Sequence, residues 1–294
     1  MELLKPTNDY VFKRIFGQKK NSDILKDLLQ AILPNWNIKN VEPKQEVQLE
    51  TNLITDKVCR LDILATLDDG TRVDIEMQMK NYNDIEARSL FYTTREYHQS
   101  LGAGQSYIEI PKSIGIWILN FNVFNDEGPF HEIVRLRRDY ENKIFTDKIE
   151  MHYLQLPKFK QKCKRISNKL DEWLAFISLE NMEELRMIEN EKVKKAEEEL
   201  EYLSGDEAER RIAYLRETAE LDRRFAMTGA RDQGRKEGKI EGIKEGRKEG
   251  KKEGRKEGKA EEKLEIARKM LAEKVDIDFI TKITGLTKEE IEKL

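Results

Sequence analysis

Apolar positions along the first half of the chain recur with two different periods. Residues 8–16 place Tyr10, Val11, Ile15 and Phe16 at helical spacing behind a Thr7/Asn8 start signal. Residues 22–33 repeat the pattern with Ile24, Leu25, Leu28, Leu29 and Ile32 before Pro34 ends it. Two helices are therefore predicted to open the chain. Period two then takes over at residues 46–53, 58–67, 72–79, 114–121, 132–138 and 150–156, which predicts strands. Between the third and fourth of these, Ile85, Leu90, Phe91, Tyr97 and Leu101 form a helical stripe over residues 85–101. Strands and helices mixed in this order predict an α/β or α+β domain.

Beyond Pro157 the pattern changes. Residues 168–177 present Leu170, Trp173, Leu174 and Ile177 as one more amphipathic helix able to close over the domain. Residues 181–224 carry 14 acidic and 9 basic side chains with sparse apolar points, which suits a long helical hairpin bent near Ser204-Gly205. A four-residue repeat follows, with glycine at 234, 238, 242, 246, 250, 254 and 258, and residues 234–259 hold 11 basic against 6 acidic groups. Each glycine costs a helix interior about 0.8–1 kcal/mol relative to alanine. A four-residue period also advances about 40° per repeat on an ideal helix, so these glycines do not line up in one straight stripe. A flexible spacer or weak helix is expected, with a basic arm tracking DNA phosphates as the alternative. Residues 262–294 recover periodicity as three short helices with Gly285 before Leu286-Thr287. Their shape is similar to a helix-turn-helix and equally suits a protein-binding or dimerising cap. The expected divisions are a domain at 1–157, a helical extension at 158–233, the charged glycine repeat at 234–259 and a small helical module at 260–294.

Composition narrows the function classes. Of 294 residues 38% are charged, against about a quarter in ordinary globular chains, although the net charge is only -3. The longest apolar stretches, such as residues 114–119, are far too short to cross a bilayer. The first residues include Glu2, Lys5 and Asp9 without an apolar secretory region, so a cytoplasmic location is expected. Cys59 and Cys163 make no disulfide framework, and His98, His131 and His152 lack zinc-ligand spacing. Packing or surface roles are expected for His131, His152 and both cysteines.

The chemistry concentrates in residues 58–80. On the third predicted strand Val73, Ile75, Met77 and Met79 share one face, and Arg72, Asp74, Glu76, Gln78 and Lys80 share the other. On the preceding strand Leu61, Ile63, Ala65 and Leu67 make the core face and leave Arg60 and Asp62 on the polar one. A three-residue loop Asp68-Asp69-Gly70, with Gly70 left-handed, matches the two apolar rows and sets Asp62 directly opposite Glu76; a two-residue loop would put the rows on opposite faces. Like charges so opposed, with β-carbons about 4.5–5.5 Å apart, are destabilising unless a cation lies between them. Two carboxylates on adjacent strands with a solvated face suit Mg²⁺ or a similar hard ion and phosphodiester cleavage. The plainer alternative is a solvated face on which Arg60, Arg72 and Lys80 neutralise the acids.

Asp62, thirteen intervening residues, then Glu76-Met77-Gln78 resembles the core of the PD-(D/E)XK nuclease superfamily, with glutamine where lysine is usual. The chain is also similar to the Rpn family of recombination-promoting nucleases, also labelled transposases. The likeness lies in Asn8-Asp9-Tyr10-Val11-Phe12-Lys13-Arg14-Ile15-Phe16-Gly17, Arg60-Leu61-Asp62, Ile75-Glu76-Met77-Gln78 and Arg88-Ser89-Leu90-Phe91-Tyr92, and spans roughly residues 1–157. The resemblance implies a restriction-endonuclease-like core with a mixed sheet flanked by helices. It also implies a divalent metal (Mg²⁺, or Mn²⁺ or Ca²⁺) held by Asp62 and Glu76, and DNA as substrate. Gln78 then replaces the motif lysine, Lys80 is an alternative source of charge, and Asp9 is the extra acid many superfamily members carry on the first helix. Arg88 and Tyr92, four apart on one helix face, meet a phosphate or support the site, as does Arg60 on the polar strand face. The implied function is a metal-dependent DNA endonuclease. Its rival is a non-catalytic DNA-binding or scaffold protein, and a homo-oligomer or protein partner through the C-terminal helices fits either.

Overall fold

A computed structural model of the protein describes residues 2–49, 59–102, 104–180, 182–187 and 189–294. The expected opening helices are α1 (Asp9–Phe16) and α2 (Ser22–Ile32). Asn8 caps α1 by accepting the N–H groups of Tyr10 and Val11, which would otherwise have no acceptor within the helix. The mixed sheet that follows contains β1 (Val41–Leu49), β2 (Cys59–Leu67), β3 (Arg72–Gln78), β4 (Ser113–Leu119), β5 (His131–Arg135) and β8 (Ile149–Gln155), in the spatial order β1-β2-β3-β4-β8-β5. A separate two-stranded ribbon, β6 (Arg137–Arg138) and β7 (Lys143–Ile144), lies between β5 and β8 in the chain. Strands β1, β2 and β3 pair antiparallel, β3, β4 and β8 run parallel, and β5 is antiparallel to β8. The first predicted strand, residues 46–53, starts earlier than expected, at Val41, and residues 50–53 lie outside the described ones. Pro43 is tolerated because β1 is an edge strand.

Helix α3 (Ile85–Gln99) provides the crossover between the parallel strands β3 and β4 and packs on one face of the sheet. The other face carries the main core, where Ile63, Val73, Ile75, Met77, Ile116 and Ile118 meet α1 and α2. Packing does not end at residue 157. Helices α4 (Leu156–Lys162), α5 (Lys169–Ser178), α6 (Met182–Met187) and α7 (Glu191–Gly205) add Phe159, Trp173, Phe176, Leu185, Val193 and Leu200 to this core. Trp173 lies edge-on to Phe16 at 5.7 Å, and its Nε1–H donates to Asp27 at 3.1 Å. The first compact unit accordingly runs Met1–Ala219, well beyond the expected boundary.

Helix α8 (Glu207–Ala272) begins after the break at Asp206, where the bend near Ser204-Gly205 was expected, and takes in the whole glycine repeat as helix. The second unit is Glu220–Leu294. At its end α9 (Ile277–Thr284) and α10 (Lys288–Ile291) form a small core of Ala267, Ile280 and Ile291. Asp276 caps α9, left-handed Gly285 (φ +68°) ends it, and a Thr287/Glu290 capping box starts α10. No helix of the described residues is long and apolar enough to cross a membrane.

Candidate active site

The turn that aligns the acids has the expected form. The Leu67 N–H donates to the Thr71 carbonyl at 2.9 Å and the Gly70 N–H to the Leu67 carbonyl at 3.0 Å, while Gly70 takes φ +83°. Ile63 then pairs with Ile75, Leu64 with Asp74 and Thr66 with Arg72, the register that brings Asp62 to Glu76. The two are joined: the Asp62 N–H donates to Glu76 Oε1 at 3.1 Å, and Asp62 Oδ2 accepts the Met77 N–H at 3.3 Å. Gln78 Nε2 donates to Glu76 Oε2 at 2.9 Å.

The polar face of β3 is not solvated, contrary to expectation. Asp74 and Glu76 are 2% and 1% exposed, because α3 lies over them with its polar side inward. Its buried residues are Ile85, Ser89, Tyr92, Thr93 and Glu96, whereas Leu90 and Phe91 of the expected apolar stripe are 48% and 39% exposed. Ser89 meets Tyr153 of β8 at 2.5 Å, and Glu96 pairs with Arg72 at 2.5 Å. Gly115 admits this approach, since a β-carbon there would lie 2.5 Å from Thr93 Oγ1.

Burial, followed by the charges of Asp62 and Asp74, pushes the Glu76 carboxyl well above the usual carboxylate range, and Arg88 opposes this only partly. Asp74 is raised in the same way by burial and by Asp62 and Glu96, and neither of its carboxylate oxygens has a hydrogen-bond partner. Asp62 is also raised by burial, against the pull of Lys13, whose ammonium lies 2.9 Å from Asp62 Oδ1.

Other expected site residues are placed differently. Lys80 is exposed beyond the end of β3 and has no ion-pair partner among the described residues. Asp9, with a side chain 43% exposed, lies 3.8 Å from the Lys13 ammonium, and its charge adds to the upward push on Asp62. No three Asp, Glu, His or Cys side chains among the described residues come together to hold a metal ion, so a ligand set of Asp62, Glu76 and Asp9 is not assembled. Arg88 has its guanidinium carbon 5.0 Å from the Tyr92 ring centre, and its Nε is buried without a hydrogen bond. The backbone of Arg60 belongs to β2, but its side chain lies outside the described residues.

Sequence reasoning missed two residues. Lys13 is 49 positions from Asp62 and no strand or helix period links the two; its place in the opening motif of the family likeness and its i,i+4 relation to Asp9 were the available signals. Asp74 was read as one of several solvated polar residues, yet it is a buried acid whose oxygens accept no hydrogen bond and whose charge Arg88 offsets only in part. The donor chemistry suits a hard cation: the Asp62 and Glu76 carboxylates lie on adjacent strands joined at that point, the Asp74 carboxylate accepts no hydrogen bond, and an ammonium already stands against Asp62. A second buried polar chain lies on the opposite face of the sheet. His131 Nε2 and His152 Nδ1 are 2.9 Å apart and His152 Nε2 is 2.7 Å from Glu150, which also accepts from Arg135 and Lys112.

Residues 6–230 match the family model described as PD-(D/E)XK nuclease family transposase. Residues 260–294 match that of the Rpn/YhgA-like nuclease family, C-terminal HTH domain. No curated protein and no solved structure gives a match. With the six-stranded mixed sheet and flanking helices that this fold requires, the chain belongs to the PD-(D/E)XK nuclease family of transposases and ends in an Rpn-type helix-turn-helix.

Proposed function

We propose that the protein is a divalent-metal-dependent DNA endonuclease whose cation is held by Asp62 and Glu76. The observation that carries this reading is their junction across β2 and β3, where the buried Glu76 carboxylate and the half-buried Asp62 carboxylate share one patch with the Lys13 ammonium against Asp62. Mg²⁺ fits the oxygen donors, as do Mn²⁺ and Ca²⁺. When bound, such an ion supplies positive charge to phosphate oxygens and makes water more acidic. Hydrolysis then forms a new P–O bond from water and breaks the P–O bond to the departing strand, which takes up a proton as an alcohol.

The chain's own residues orient this chemistry. Gln78 holds Glu76 Oε2 through its amide nitrogen and leaves its carbonyl oxygen to accept a hydrogen bond from water. It cannot supply positive charge. Lys80 is given no role, being exposed beyond the strand end. Arg88, whose charge already bears on Glu76 and Asp74, supports the acids from α3 while Tyr92 backs its guanidinium. The C-terminal helix-turn-helix would bring DNA to the nuclease unit, and a homo-oligomer through the C-terminal helices is compatible with this arrangement. A cytoplasmic location is part of the same reading.

Two observations favour the rival, a DNA-binding scaffold that does not cleave: Glu76 is buried beneath α3, and glutamine stands in place of the motif lysine. Cleavage of supercoiled plasmid separates the two. The nuclease reading expects nicking in Mg²⁺ or Mn²⁺ that stops in EDTA and in Asp62→Ala and Glu76→Ala. DNA binding without nicking in any ion would establish the scaffold.

A further inference from the structure

The proposed site has two acids for a cation, and the positive side chain of the strand that carries its motif, Arg72, is paired with Glu96. Gln78 is neutral, Lys80 is exposed past the end of β3, and Arg88 sits on α3 over Tyr92. The ammonium that reaches a candidate ligand comes instead from α1, where Lys13 Nζ is 2.9 Å from Asp62 Oδ1 and its side chain is only 12% exposed. We infer that Lys13 is the phosphate-facing cation of this nuclease, moved from the motif strand to the first helix.

The helix is built to hold that position. Val11, Phe12, Ile15 and Phe16 are buried in the core, with the Phe12 and Phe16 rings 4.9 Å apart. Asn8 caps the start of α1 and donates through Nδ2 to the Ala213 carbonyl, while Tyr10 and Arg14 both bond Glu209. Helix α1 is therefore tied to the start of α8 by residues on both sides of Lys13. Asp9, one turn earlier, faces the same ammonium at 3.8 Å and acts as a positioning residue.

Charge balance gives Lys13 two successive roles. In the free protein its ammonium compensates Asp62, standing where a cation is needed. A divalent ion held by Asp62 and Glu76 would neutralise the acids, and the ammonium would then turn from Asp62 toward a non-bridging phosphate oxygen. There it donates a hydrogen bond without giving up its proton, and it stabilises the negative charge that builds on the phosphoryl oxygens.

This inference rests on the nuclease reading, and the test keeps the two apart. Wild type, Lys13→Met, Lys13→Arg and Lys13→Met/Gln78→Lys are compared for plasmid cleavage in Mn²⁺, Mn²⁺ binding by calorimetry and thermal midpoint. Lys13→Met is expected to bind Mn²⁺ at least as tightly as wild type, because a competing charge is gone, yet to cleave about 100-fold more slowly. Lys13→Arg should retain most of the rate. The double variant, which returns a lysine to the motif strand, should recover about tenfold over Lys13→Met, and it decides the matter if the single variant does not fold. Cleavage by Lys13→Met within threefold of wild type, loss of its Mn²⁺ binding, or a folded but inactive double variant would overturn the role of Lys13 alone. A wild type that does not cleave removes the nuclease reading and this role with it.

Discussion

The backbone N–H of Asp62 points at the carboxylate of Glu76, 3.1 Å away, so these two acids are held together by the hairpin itself. Without a cation this arrangement costs stability, since burial and mutual repulsion both disfavour the charged forms. Glu76→Gln keeps the shape and removes one charge. It is expected to abolish cleavage and to raise the metal-free thermal midpoint at pH 8, which paired activity and melting measurements check.

The raised carboxyl of Glu76 also sets a pH dependence. A group whose folded pKa lies above its unfolded value adds stability below the unfolded value, near 4.5, and loses that contribution as pH rises through the folded one. Metal-free protein should therefore lose stability relative to Glu76→Gln as pH rises from 4.5 to the top of the range in which it stays folded. Added Mg²⁺ should close the gap most at the upper end, because it binds the ionised acids. Thermal melts of both proteins across that range, with and without Mg²⁺, provide the comparison.

Asp74 makes a separate case, for neither of its oxygens is bonded. Asp74→Asn removes the ionisable group at nearly constant volume and should gain about 1–3 kcal/mol at pH 8 in chemical denaturation. A loss of stability there would mean that the carboxylate has a bonded partner in solution.

Much of this site was readable from the sequence. The alternation in residues 60–67 and 72–79 admits only one loop length, and Gly70 then takes the left-handed turn, φ +83°. The cover over the acids was not readable. Apolar periodicity assumes that the buried side of a helix is the greasy one, whereas α3 turns Ser89, Thr93 and Glu96 inward because the sheet face beneath it carries Asp74 and Glu76. Lys13 was hidden for a related reason, since strand and helix periods report faces and not which distant side chains meet. The unit boundary was misread at Pro157 because the core holding α1 and α2 also needs Trp173, Phe176 and Leu200 from later helices.

Gly70 itself can be tested. A β-carbon there meets nothing within 4 Å, so Gly70→Ala would be penalised only by its backbone conformation, about 1–2 kcal/mol. Activity should fall further than this loss alone explains, because the same turn aligns Asp62 with Glu76. Denaturation and plasmid cleavage on one preparation separate the two effects.

On the opposite sheet face, acid should weaken the protein through a different group. Burial, then the neighbouring His152, pushes His131 down from 6.5 to about 4. A base lowered in the folded state stabilises above its unfolded pKa and gives that up as pH falls toward the folded one. The contribution of His131 should thus fade between pH 6.5 and about 4. His131→Gln is expected to flatten that part of the melting profile.

The most direct test of the metal site is a Mn²⁺ titration of wild type, Asp62→Ala, Glu76→Ala and Asp9→Ala, followed by calorimetry or by the signal of free Mn²⁺. Binding present in wild type and Asp9→Ala but lost in Asp62→Ala and Glu76→Ala is the predicted result. Equal binding in all four proteins, or none in wild type, would contradict a cation held by Asp62 and Glu76.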